Sequence, residues 1–140
     1  MSTYVSTTAN VSGNAKVLDN SLIAGYANVS DYAVVSGDAL IRGNAKVGGN
    51  TTVRGQTYVY DDAQIEGNAD VCDHARVGGR AIVMGDARVG GNAWVYGCAQ
   101  VSGYVTVCGG AELSGATVLE GDVTFSSGHI RDLHWWRDIP

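Results

Sequence analysis

From Val5 onward every sixth residue is aliphatic: Val11, Val17, Ile23, Val29 and so on through Leu119, with Phe125 next in phase. Two positions before each stands a small or β-branched residue, usually alanine, as at Ala9, Ala15, Ala27 and Ala33, with Ser21, Thr51 and Thr57 in the same slot. Two positions after it comes a turn-former: Gly13, Asp19, Gly25, Asp31. Because side chains alternate along a strand, the alanine and the aliphatic residue of each hexad share one face, and the residues beside them take the other. A Gly-Asn pair then turns the chain, both types entering positive φ at little cost. Strands this short cannot pair as hairpins, so each pairs with its equivalent one coil later, and three hexads complete a turn. The predicted fold is all-β: a parallel β-helix, a triangular prism solenoid of about seven coils of three hexapeptides. At ~4.8 Å per coil the prism is roughly 33 Å long, with only aliphatic and alanine stacks inside.

Outward residues one turn apart stack above one another, which sorts them by face. Two faces are polar or mixed, apart from Ile82 and Met84 on one of them. The third reads Tyr4, Leu22, Leu40, Tyr58, Arg76, Trp94 and Glu112, with Ala24, Arg42, Tyr60, Gly78 and Tyr96 alongside. Exposed apolar area concentrated in one patch marks an interface, and Tyr, Trp and Arg are the types enriched at interface centres. The expected partner-binding residues are therefore Leu22, Leu40, Tyr58, Tyr60, Trp94 and Tyr96, together with Trp135 and Trp136 near the C-terminus. The partner is a second copy, giving a homo-oligomer (dimer or trimer), or a foreign protein.

The repeat stops at Ser126, which divides the chain into a β-helix over 1–126 and a short C-terminal capping or packing tail over 127–140. In the tail Ile130, Leu133, Trp136 and Ile139 recur at three-residue spacing, the pattern of a short amphipathic helix or 3₁₀ segment. An uncovered end of a β-helix is a template for further strand pairing, so a cap has a purpose. Trp135 and Trp136 need a surface to bury against, either this chain's aromatic face or a neighbour's.

Tandem hexads such as SGNAKV, RGNAKV, EGNADV, MGDARV and GGNAWV resemble the hexapeptide-repeat superfamily of left-handed parallel β-helices, over nearly all of the chain up to residue 126. The left hand is implied by that resemblance alone. In phasing the chain is similar to uncharacterised bacterial and phage members, since glycine comes two residues after the aliphatic position. The characterised acyltransferases of the group usually place it directly after. What the resemblance implies for chemistry is a catalytic histidine near a corner, a long inserted loop and an acyl-CoA groove between protomers. Only the histidine has a counterpart here. His74, in CDHARV, occupies the asparagine slot of a corner, either as a general base at a subunit interface assisted by Asp73, or as a corner residue accommodated at positive φ.

Net charge is −5, with nine basic residues dispersed along the chain, so there is no electrostatic footprint for nucleic acid or an anionic membrane. No run approaches the roughly 18 apolar residues of a membrane span. Three cysteines, Cys72, Cys98 and Cys108, make an odd number, and Cys72 and Cys108 share a phase two coils apart, too far to bridge. A reducing, cytoplasmic setting and a soluble, unprocessed chain are expected. His129 and His134 make no metal motif, and no metal or cofactor is expected. The expected function is a non-enzymatic β-helical scaffold that acts through protein-protein contact on the aromatic face. The alternatives are a transferase-like enzyme using His74 with acyl-CoA, and a phage or mobile-element inhibitor that docks a host protein.

Overall fold

The computed structural model describes residues 3–132. Leu133, Trp135, Trp136 and Ile139, and with them most of the tail, lie outside the described residues. Strands of two residues, three in β19 (Glu112–Ser114), recur every six residues from β1 (Tyr4–Val5) to β21 (Thr124–Phe125), and β22 (His129–Arg131) follows. Each is too short to hold a partner by itself. Every third strand pairs in parallel, giving one sheet of eight strands and two of seven, a prism-shaped solenoid of about seven turns. No described residue is helical.

Register is set by the repeat. In the first sheet β10 (Tyr58–Val59) pairs with β13 (Arg76–Val77), β13 with β16 (Trp94–Val95), and β16 with β19 (Glu112–Ser114), each residue opposite its equivalent one turn on. The inward series is buried as expected from the second coil on, with Ile23, Val59, Val71, Val95 and Leu119 all at 0% exposure and the alanine column between them. At the two ends Val5 is exposed and Val11, Val17 and Phe125 are partly buried. Where the alanine slot holds a hydroxyl, Ser21 Oγ donates to the Leu18 carbonyl at 2.5 Å and Thr117 Oγ1 to that of Ser114 at 2.7 Å. Thr51 and Thr57 bury the same oxygen with no partner among the described residues, and keep the slot through their methyl groups.

The corners differ from the sequence expectation in one respect. Positive φ falls on the first corner residue only, a glycine or an aspartate such as Asp19 (φ 61°) or Asp73 (φ 62°), and not on the asparagine slot after it. The aspartates gain a second role there. Carboxylates of Asp19, Asp31 and Asp73 accept the N–H of Gly37, Gly49 and Gly91, one coil on, at 3.0, 2.9 and 3.0 Å. Glycine is required where coils stack closely: a Cβ on Gly67 (φ 74°) would lie 2.7 Å from the Gly85 nitrogen.

The tail also departs from expectation at its start. Ile130 belongs to strand β22 and not to a helix, because Ser126–Gly128 shorten the last hexad and bring His129 opposite Glu112, Ile130 opposite Leu113 and Arg131 opposite Ser114. The first sheet gains a further strand by that shift.

Candidate functional site

The outward side of the first sheet carries the expected binding residues. Leu22 and Leu40 stack half-buried at its lower end. Tyr58 and Tyr60, on the same face of one strand, have ring centroids 4.7 Å apart, and Trp94 and Tyr96, two turns on, 4.3 Å apart. Between these two rungs stand Arg76 and Gly78. The glycine is what allows the rungs to join: a Cβ there would lie 2.1, 2.3 and 2.6 Å from Cζ, Cε2 and Cε1 of Tyr60. The phenol therefore lies over the Gly78 backbone and reaches the next aromatic rung. Its hydroxyl accepts the indole N–H of Trp94 at 2.8 Å.

Two arginines complete the ladder. Arg42 stands 5.1 Å from the Tyr58 ring centroid and Arg76 5.6 Å from that of Trp94, cation–π distances that hold exposed guanidinium groups against the sheet. Along this face Arg42, Arg76 and Arg131 stand against Glu112 alone, on a chain whose net charge is −5. The acidic residues collect at the corners instead, at Asp19, Asp31, Asp38, Asp61, Asp62, Asp73 and Asp86, where aspartate suits the turn. The basic face and the acidic corners are thus consequences of the same repeat.

His74 is exposed, and its ring makes no hydrogen bond among the described residues. It is not the positive-φ residue of its corner, so accommodation at positive φ does not explain it; Asp73 takes that conformation. The Asp73 carboxylate is also committed to the Gly91 N–H. His74 lines a shallow open groove with Arg76, Asn92, Trp94, Gly110 and Glu112, beside the aromatic ladder and not apart from it.

A second cluster escaped the sequence reading. Ser114 Oγ lies 2.8 Å from His129 Nε2, and His129 Nδ1 lies 4.0 Å from Glu112 Oε2. Tyr96 faces the same imidazole, ring centroids 6.4 Å apart and 26° from parallel. Ser114 and Glu112 look like ordinary outward positions of a hexad, and only the shortened last hexad hinted that the next coil would meet them out of phase. Arg42 and Gly78 could be placed on this face from the sequence, but not the ring contacts they make, although a glycine in a column of bulky outward residues was a readable signal.

Elsewhere, Arg54 Nη2 pairs with Asp70 Oδ2 at 3.2 Å across an exposed coil step, and all three cysteines are free. Among the described residues no group of three His, Cys, Asp or Glu side chains could hold a metal ion, and no helix is long and apolar enough to cross a membrane. No family model, curated protein or solved structure matches the chain.

Proposed function

We propose that the chain is a β-helical binding scaffold that self-associates through the face bearing Tyr58, Tyr60, Trp94 and Tyr96. The observation that carries this reading is the aromatic–arginine ladder. Its rings are already held against one another, and the Trp94 indole N–H is already paired with the Tyr60 hydroxyl, so little freedom is lost on docking. Tyr, Trp and Arg are also the side chains that dominate interface energetics. Charge favours a neighbour's acidic corner as the surface opposite. Two copies of the basic face placed against each other would oppose Arg42 and Arg76 with their own equivalents. A heterologous contact avoids this, and rings arise when such a contact closes. The resemblance to hexapeptide-repeat β-helices, in which homotrimers are frequent, points the same way.

The test is solution mass by light scattering after gel filtration, for wild type and for a Tyr58→Glu, Trp94→Glu double mutant. The expected result is a multiple of 14.5 kDa for wild type and 14.5 kDa for the mutant, with the β circular dichroism signal unchanged. A wild type that stays monomeric at high concentration would sink self-association and redirect the face to a foreign protein.

A further inference from the structure

We propose that Ser114, His129 and Glu112 form a nucleophile–base–carboxylate triad that hydrolyses short neutral esters, at the upper end of the same sheet. The three groups come together through the irregularity of the last coil. β19 and β22 are three-residue strands where all the others have two. The shortened hexad before β22 sets His129 directly over Glu112 and lets its ring lean diagonally onto Ser114. A hydroxyl, an imidazole and a carboxylate in sequence are what nucleophilic catalysis needs: an acceptor for the hydroxyl proton, and an anion to stabilise the resulting imidazolium.

The geometry sorts the roles. In the tautomer that carries its proton on Nδ1, toward Glu112, Nε2 accepts from Ser114 Oγ across 2.8 Å, and that is the form the proposed reaction uses. The 4.0 Å step to Glu112 is longer than a hydrogen bond, and such contacts tighten when substrate excludes water. Tyr96 limits rotation of the ring from one side. The residue after the serine, Gly115 (φ 65°), has a backbone N–H that makes no hydrogen bond among the described residues.

Access decides the substrate class. Ser114 is 5% exposed, whereas the His129 side chain is 46% exposed, so the leaving-group side is open and the acyl side narrow. Asp132, whose Oδ1 accepts the Ala116 N–H at 2.7 Å, sets a carboxylate beside Gly115 and disfavours anionic acyl groups. A short neutral acyl group with an aryl leaving group resting toward Tyr96 fits these constraints.

In the first half-reaction Ser114 Oγ bonds to the carbonyl carbon as its proton passes to His129 Nε2. The tetrahedral adduct then expels the alcohol, which leaves with that proton. In the second, water adds to the acyl-serine with its proton taken by Nε2, and collapse releases the acid and returns the proton to Ser114. No other reactant is required.

The experiment uses the full chain with p-nitrophenyl acetate as substrate and diisopropyl fluorophosphate as covalent probe. Wild type, Ser114→Ala, His129→Gln and Glu112→Gln are compared, each first shown to be folded by circular dichroism. A single phosphoryl adduct mapped to Ser114 is expected, with nitrophenol release and labelling at least about tenfold slower in His129→Gln and Glu112→Gln, and no adduct in Ser114→Ala. Release should also fall from acetate to hexanoate esters. A folded wild type that takes no label at Ser114 overturns the proposal and leaves the Ser114–His129 contact a structural latch, and so does release unchanged in Ser114→Ala. The wild-type labelling result stands even if a variant fails to fold. It is independent of solution mass, so this proposal and the self-association reading fail separately.

Discussion

At the scale of single residues the corner chemistry is the most informative feature. Aspartate and glycine share the positive-φ position, but only aspartate adds a carboxylate that ties its own coil to the next through a backbone N–H. Beside one such corner stands Cys72, which packs over Gly90 and near Asp73. Burial pushes its thiol pKa up, Asp70 and Asp73 raise it further, and Arg54 offsets part of the effect. A raised value means that the folded protein holds the thiol proton more tightly than the unfolded chain does. The stabilisation is complete below the ordinary thiol range and is lost as pH rises through the raised value. Since the thiolate is the reactive form, Cys72 should be alkylated by iodoacetamide more slowly than exposed Cys98 at neutral pH, the gap narrowing as pH rises. Peptide mapping after timed quenching measures both sites in one sample. Equal rates at neutral pH would refute the assignment.

The element that matters most is the first sheet, where strands four turns deep are joined by side chains as well as by backbone. Gly78→Ala tests that joining. The new methyl would lie within the Tyr60 ring, so the phenol must swing away and release Trp94. Gly78 does not have positive φ, so the strand itself tolerates alanine. Leaving a half-buried indole N–H unpaired costs about 1–3 kcal/mol. The expected outcome is a Tm several degrees lower in calorimetry, together with weaker association. Gly90→Ala is the control. Its methyl would meet the Cys72 sulfur at 3.0 Å and Asp73 Oδ2 at 3.2 Å, both on another face, and association should be unchanged.

For the whole molecule, stability is a sum of equivalent coils and the contacts between neighbours. No coil has a separate core, so damage in the middle cannot be contained by one end. Val71, at 0% exposure, lies near the centre of the stack between Val53 and Val89. Val71→Asp places a carboxylate where no donor reaches it, a cost of several kcal/mol against a typical total stability of about 5–15 kcal/mol. Loss of the β circular dichroism signal or recovery only as insoluble protein is expected. A soluble, fully folded variant would count against the inward assignment of the entire series. The charge pattern belongs to this scale too, since the basic face of the first sheet and the acidic corners emerge only when all the coils are stacked.

What could be read from the residues alone was everything that repeats: the inward aliphatic series, the alanine slots, the three-hexad turn and the membership of each face. Those follow from local rules applied identically at every rung, so one hexad predicts the next. The candidate sites depend on the exceptions. How Tyr60 crosses Gly78 to Trp94 and where the shortened last hexad sets His129 are decided by contacts between residues up to 34 positions apart. A rotamer or a one-residue shift of register has no periodic signature, because its energy comes from neighbours that only the stacked coils bring together.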